Sequence, residues 1–153
     1  MLLKQTALMM CLLPLVLTSC GLFETFSENT EESNDADADV IFVRAIQQPN
    51  GTWTFNVTVA HPDTGWEDYA DGWDVVTPDG EVLKPDPDSP FTRHLLHPHV
   101  NEQPFTRSQS NITIPDEVTQ VIVRAHDIVD GFGGQEVVVD LNRTSGRNFE
   151  IER

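Results

Sequence analysis

Three of the chain's five histidines fall within one segment, residues 93–110. They are His94, His97 and His99, with Pro98 between the last two. Neutral imidazole binds Zn²⁺ and Cu²⁺ readily, and carboxylates often complete the shell around such an ion. The segment therefore predicts either a transition-metal site or a loop whose imidazoles hydrogen-bond to the backbone.

The metal interpretation requires partners for this segment, and five residues form the predicted set. They are His97, His99, Glu102, His126 and Asp127. Asp127 would accept a hydrogen bond from His126 and so orient its ring toward the ion. We expect Zn²⁺ or Cu²⁺ at such a site, and no other cofactor.

The structural interpretation of the same segment uses no ion. The histidines would hydrogen-bond to loop backbone, and an ion pair between Glu102 and Arg107 would hold the long crossover in place. Pro98 restricts His97 to β or polyproline geometry, so at most two of the local histidines converge. This restriction favours the structural interpretation.

Residue types for nucleophilic catalysis are present, but their spacing does not favour an enzyme. Ser108 or Ser110 together with His126 and Asp127 would supply the residue types of a hydrolase triad. The chain contains no Gly-x-Ser-x-Gly elbow. Adjacent His and Asp side chains in one strand also point to opposite faces of the sheet. We therefore expect a non-enzymatic protein.

A cluster of acidic residues follows residue 60 and surrounds Trp66, Tyr69 and Trp73. Its members are Asp63, Glu67, Asp68, Asp71 and Asp74. Their spacing is not that of a calcium-binding EF-hand. Acidic groups beside exposed aromatic rings suit a sugar-binding face, and a solvated acidic loop is the alternative.

The first 20 residues have the features of a bacterial secretory signal. Lys4 precedes an apolar run at residues 7–17, which is shorter than the roughly 18 residues of a membrane-spanning helix. The run ends in Leu-Thr-Ser-Cys at residues 17–20, which matches the bacterial lipobox. A lipobox implies cleavage before Cys20 and its acylation, so the protein would be anchored in the bilayer of the cell envelope. In the lipoproteins that this segment resembles, Gly21 in place of Asp favours the outer membrane of a two-membrane bacterium.

Composition restricts the partners of the protein. The chain has 25 acidic and 9 basic residues and a net charge of −16, which argues against binding nucleic acid or anionic lipid headgroups. The chain has two cysteines, of which Cys11 would leave with the signal and Cys20 would be lipidated. The mature domain would then contain no disulfide and would depend on its apolar core.

Changes in composition divide the chain into a signal (1–19), an acidic disordered linker beginning with lipidated Cys20 (20–39) and a folded domain (40–153). The domain alternates apolar and polar residues at 52–60, and it contains hairpin signals at Asn50-Gly51 and at 78–80. No amphipathic helix is expected, and about eight short strands are predicted, at 40–46, 52–60, 73–76, 81–83, 91–96, 111–114, 118–126 and 136–141. This pattern predicts an all-β antiparallel sandwich, immunoglobulin-like or fibronectin-like, with a small barrel as the alternative.

Two segments resemble sequences found in small bacterial lipoproteins and secreted proteins. The first reads Gly-Trp-Glu-Asp-Tyr-Ala-Asp-Gly-Trp at 65–73, and the second reads His-Pro-His-Val-Asn-Glu-Gln-Pro-Phe-Thr-Arg-Ser at 97–108. The resemblance spans about residues 40–141 and implies an envelope protein with a β-sandwich domain. It brings no activity, so we expect a binding module for an envelope protein or a glycan.

Overall fold

The computed structural model describes residues 37–153, in which the regular structure consists of nine strands. These are β1 (Asp39–Gln47), β2 (Trp53–Ala60), β3 (Ala70–Val76), β4 (Arg93–His94), β5 (Phe105–Ile112), β6 (Gln120–Asp127), β7 (Val137–Asp140), β8 (Ser145–Gly146) and β9 (Phe149–Glu152). No helix in this range is long and apolar enough to cross a membrane. The predicted signal 1–19, the lipidated Cys20 and the linker up to residue 36 lie outside the described residues.

The strands form two sheets. One has the order β5-β2-β1-β9-β8 and the other has the order β4-β3-β6-β7. All pairings are antiparallel except that of β1 with β9, which is parallel and aligns Val43 with Phe149. The predicted all-β sandwich is thus confirmed, and the described residues do not form the alternative closed barrel. The more specific immunoglobulin-like or fibronectin-like assignment stays a prediction.

Strict alternation of side chains builds the core. In β2 the side chains of Trp53, Phe55, Val57 and Val59 are buried, and the residues between them are only partly buried. Strand β6 alternates in the same way over its whole length. Both strands contribute to a single apolar cluster between the sheets, because residues at every second position share one face.

Some strand boundaries differ from the predicted ones, for physical reasons. The strand predicted at 111–114 is instead β5, which begins at Phe105 and is mostly polar and exposed. Only Phe105 and Ile112, at its two ends, are buried, so the residues between them lack the apolar alternation that marks a half-buried strand. The strand predicted at 91–96 is reduced to β4, and the segment predicted at 81–83 forms only a bridge between Val76 and Val82.

The two terminal regions of the domain also differ from prediction. Strands β8 and β9 were not expected, although Phe149 and Ile151 alternate with glutamates as in a half-buried strand. At the other terminus, Ala38 is buried and Asp39 already belongs to β1. Strand β1 therefore starts at Asp39, next to the predicted boundary at residue 40.

Strand pairing brings several chain connections to one end of the sandwich. Asp39 at the start of β1 pairs with Ala60 at the end of β2. In the other sheet, Ala70 at the start of β3 pairs with Asp127 at the end of β6. In an antiparallel pair the start of one strand lies beside the end of its neighbour. The loops that follow β2 and β6 therefore leave the sandwich close to these two residue pairs.

We call this part of the domain the loop end, formed by loops 61–69, 95–104 and 128–136. The loops contact one another directly. The amide of Ile128 donates to the carbonyl of Tyr69 (3.3 Å), and the amide of His99 donates to the carboxylate of Asp63 (2.6 Å). Residues far apart in the sequence can therefore share one site here.

The packing of Gly72 in β3 yields a stability prediction. A Cβ at this position would lie 2.1 Å from Cδ2 of Phe91, which is well inside van der Waals contact. We expect Gly72→Ala to lower the free energy of unfolding by about 1–3 kcal/mol, as overpacking usually does. Urea denaturation of the purified variant measures this loss.

A double-mutant cycle with Phe91→Ala serves as the control. Removing the ring removes the clash, so the combined variant should lose less stability than the sum of the two single losses. Additive losses, or a Gly72→Ala variant as stable as the parent, would contradict this account of the packing.

Candidate functional site

The carboxylate of Asp63 connects three parts of the loop end. Its Oδ1 lies 2.6 Å from Nδ1 of His61 and accepts a hydrogen bond from the amide of Ala70 (3.0 Å). Its Oδ2 accepts a hydrogen bond from the amide of His99 (2.6 Å). The side chain is fully buried, and a buried carboxylate is tolerated only when it is hydrogen-bonded in this way. Asp63 therefore fixes loop 61–69, the start of β3 and loop 95–104 relative to one another.

The ring of His61 is oriented by this carboxylate. Its side chain is fully buried, and its Nε2 lies 3.6 Å from Oδ1 of Asp68. Gln103 of loop 95–104 accepts a hydrogen bond from the His61 amide (3.1 Å). A histidine held at Nδ1 by a carboxylate presents Nε2 on its far side. That side faces Asp68 here.

Asp127 reaches the same region from the other sheet. It is the last residue of β6 and is completely buried. Because every second residue of a strand shares a face, its side chain points inward like those of Val121, Val123 and Ala125. Its Oδ1 accepts hydrogen bonds from the amides of Val129 (2.9 Å) and of residue 130 (2.6 Å). Its Oδ2 has no hydrogen-bond partner among the described residues.

Ligand atoms of His61, Asp68 and Asp127 all lie within 4.8 Å of one another. They comprise one imidazole nitrogen and two carboxylate oxygens from separate chain segments. Within residues 37–153 a second group of this kind consists of Asp37, Asp127 and Asp130, and it offers oxygen only. Asp127 belongs to both groups.

His99 is buried against an aromatic ring. Its imidazole stacks on Phe105 at a centroid distance of 3.8 Å, with 15° between the planes. Neither ring nitrogen has a hydrogen-bond partner among the described residues. Burial lowers the pKa of His99, and the positive charges of Arg107 and His97 lower it further. The ring is therefore neutral near pH 7.

The structure keeps His97 and His99 together, with ring centroids 4.6 Å apart, but it does not bring the five predicted metal ligands to one point. No three of His97, His99, Glu102, His126 and Asp127 form a converging group within the described range. His97 is exposed, with its Nδ1 3.2 Å from the carbonyl oxygen of Pro98. Asp127 alone belongs to a converging group.

The loop 95–104 ion pair expected in the structural interpretation is present. Nη2 of Arg107 donates to Oε2 of Glu102 at 2.9 Å, and this hydrogen bond lowers the pKa of the Glu102 carboxyl. Glu102 is thereby occupied by a partner from β5. This contact anchors the loop to the edge strand of the five-stranded sheet.

His126 pairs with Asp71 instead of Asp127, because neighbouring residues of a strand face opposite sides. Its Nδ1 lies 2.6 Å from Oδ1 of Asp71, and its ring contacts Phe91 and Phe132 at centroid distances of 4.9 and 4.8 Å. This cluster lies on the outer face of the four-stranded sheet. Asp127 meanwhile points into the sandwich.

The loop end also exposes apolar side chains. Of the nine large apolar residues that are exposed within residues 37–153, six lie on its loops: Trp66, Leu96, Val100, Ile128, Val129 and Phe132. Trp66 is 68% exposed and meets Tyr69 edge-on at a centroid distance of 5.9 Å. An open cleft lies between Gly65-Trp66 and residues 97–102. We call it the Trp66 cleft.

His61 and Asp68 were absent from the predicted ligand set, although the sequence contained a signal for them. His61 directly follows β2, the strand with the clearest alternation, and several acidic residues follow it in the sequence. Residues just beyond a strand end lie at the rim of a sheet, where sites commonly form. The predicted ligand set was instead based on the histidine-rich segment, because its members are close together in the sequence.

Comparison with known proteins identifies a similar chain. Over 118 residues the sequence is 40% identical to a protein of Halomicrobium mukohataei named "Putative lipoprotein". The match covers 77% of this chain and 54% of the relative, so the chain spans about half the length of that protein. No protein-family model and no solved structure matches the chain.

Burial of His99 predicts a specific pH dependence of stability. In the unfolded chain its pKa is about 6.5, and folding lowers it. Below that pH the unfolded state binds the extra proton, so stability falls as pH falls. His99→Phe keeps the stacking surface without titrating, so its stability should fall less than that of the parent between about pH 7 and pH 5. Urea denaturation across this range tests the prediction.

His94→Gln is the matched control, because His94 is exposed. This variant should keep the pH dependence of the parent. If His99→Phe follows the same curve as the parent, the folded state does not resist protonation of His99.

Proposed function

We propose that this chain is a lipid-anchored protein of the cell envelope and that its β-sandwich is a non-enzymatic binding module. The lipobox at residues 17–20 and the similarity to a protein named as a lipoprotein support the anchor. Each buried CH₂ of an acyl chain contributes about 0.8 kcal/mol, and two or more chains hold a protein firmly in a bilayer.

Whether the protein could lie in an outer membrane depends on the organism that makes it. The outer-membrane location expected from Gly21 requires a bacterium with two membranes, whereas the relative comes from a halophilic archaeon. We therefore propose attachment at the cell-envelope membrane and assign no outer membrane. The net charge of −16 suits a domain held beside the membrane by lipid rather than by basic patches.

The observation that supports a binding module is the exposed indole of Trp66. A large aromatic side chain facing water costs free energy, which a partner recovers when it covers the ring. The Trp66 cleft places this ring beside amide, carboxylate and imidazole groups of Asn101, Glu102 and His97. A flat aromatic surface with hydrogen-bonding groups around it suits a glycan, because a sugar has both an apolar face and hydroxyl groups. A protein partner is the alternative.

The position of the serines supports a non-enzymatic role. Ser108 and Ser110 lie on β5, where their hydroxyls bond to Asn56 and Thr54 of β2. His126 belongs to the other sheet and is paired with Asp71. The residue types of a hydrolase triad are therefore divided between two sheets.

Replacing Cys20 tests the anchor. Cys20→Ser should move the protein from the membrane fraction to the soluble or secreted fraction, because the thiol would receive no lipid. Fractionation followed by immunoblotting measures this. Cys11→Ser is the matched control and should stay with the membrane, since Cys11 lies inside the predicted signal. Membrane retention of Cys20→Ser would refute the proposed anchor.

Replacing Trp66 tests the binding module. We expect Trp66→Ala to weaken binding of envelope glycans to the immobilised full chain by at least about tenfold, as loss of a central aromatic contact does. Val138→Ala, which removes an exposed apolar side chain from β7, should bind like the parent. Glycan binding that is absent from the parent, or unchanged in Trp66→Ala, would count against a glycan-binding cleft.

A further inference from the structure

We propose that His61, Asp68 and Asp127 form a binding site for one divalent transition ion of the Zn²⁺ type. This inference does not rest on the function proposed for the Trp66 cleft. The site differs from the histidine set predicted from sequence, with which it shares only Asp127. It connects loop 61–69, which follows β2 of one sheet, with the end of β6 in the other sheet.

The distances fit a tetrahedral shell. Zn²⁺ binds nitrogen and oxygen ligands at about 2.0–2.2 Å, which places neighbouring ligand atoms roughly 3.4 Å apart. Nε2 of His61 and Oδ1 of Asp68 are 3.6 Å apart, and all three donors lie within 4.8 Å of one another. A small rotation of the Asp68 side chain, which is 36% exposed, would complete the approach.

The hydrogen bonding of His61 is typical of a metal ligand. Metal-binding histidines usually donate the second ring N–H to a carboxylate, which fixes the tautomer and raises the basicity of the ligating nitrogen. Asp63 occupies that position at 2.6 Å from Nδ1, and backbone amides of Ala70 and His99 fix Asp63 in turn. The carboxylate that orients the histidine is thus itself held rigidly.

Asp127 provides an independent indication of a ligand. Its side chain is completely buried, and Oδ2 lacks a hydrogen-bond partner among residues 37–153. Leaving a buried carboxylate oxygen without a partner is costly, so such atoms are rare in folded proteins. A cation within bonding distance would remove this cost. Asp130 and Val129 already satisfy Oδ1 through their amides.

The donor set selects among cations. Ca²⁺ prefers six to eight oxygen ligands and Mg²⁺ an octahedral, water-rich shell, whereas imidazole favours Zn²⁺ and similar transition ions. Three protein ligands leave a fourth position of a tetrahedral Zn²⁺ for water or for a group of the partner. Asp68, the partly exposed ligand, lies on the route from solvent.

Zinc titration of the full chain tests the site. The protein is purified from membranes in detergent, without a polyhistidine tag or chelator, and Zn²⁺ is added in a calorimeter. We expect one Zn²⁺ per chain and a higher melting temperature with Zn²⁺, because an ion that binds the folded state stabilises it. Millimolar Ca²⁺ or Mg²⁺ should not displace the bound Zn²⁺.

Two conservative variants locate the ion. Asp127→Asn keeps an Oδ1 that can accept the amide hydrogen bonds at 129 and 130 but removes the carboxylate. Asp68→Asn makes the same change at the partly exposed ligand. Each should weaken Zn²⁺ binding by at least about tenfold. Asp116→Asn, an exposed residue before β6, changes the net charge equally and should bind Zn²⁺ like the parent.

Several results would overturn the proposal. These are the absence of stoichiometric Zn²⁺, unchanged affinity in Asp68→Asn, and loss of binding in His97→Ala or His126→Ala. Equal loss in Asp37→Asn or Asp130→Asn would instead favour the oxygen-only group, and binding of Ca²⁺ alone would do the same. If Asp127→Asn does not fold, Asp68→Asn decides the question because its side chain reaches solvent.

Discussion

The arrangement of the loop end depends on one buried negative charge. Asp63 lies three residues after the end of β2, and its two oxygens contact a histidine ring and two backbone amides from three chain segments. These contacts replace the water that the carboxylate loses on burial, so removing any one of them while the loops stay closed would leave a buried group without its partner. The carboxylate thereby couples the positions of loop 61–69, the start of β3 and loop 95–104.

The sandwich could be predicted from the sequence where apolar and polar residues alternate, because this alternation follows the alternation of buried and exposed side chains. Strands β2 and β6 show this clearly, since one face of each is buried and the other faces water. Strand β5 has no such pattern because only its two terminal residues are buried, and β9 is only four residues long. The parallel pairing of β1 with β9 could not be foreseen, because short terminal strands carry too little pattern to specify a partner.

The candidate site was less predictable than the fold. Alternation in β6 placed His126 on the outer face, and the same parity turns Asp127 inward. The sequence could not show that Asp127 lies close to His61 and Asp68, because these residues are about 60 positions away along the chain. Their proximity depends on how the two sheets pack against each other and on how loop 61–69 folds over the end of the sandwich. Proximity along the chain instead suggested the segment 94–99, in which His97 and His99 do lie side by side, at a centroid distance of 4.6 Å, but no third donor joins them within the described residues.

The first strand begins at the loop end, so the chain enters the domain beside the Trp66 cleft. Asp39, where β1 starts, pairs with the last residue of β2, beside the loops that form the Trp66 cleft. If Cys20 is embedded in lipid, about 17 residues connect it to the domain, a reach of at most roughly 60 Å. The point of attachment and the cleft would then share one pole of the domain. A partner held in the cleft would stay within about the length of the tether from the membrane, whichever way the domain turns.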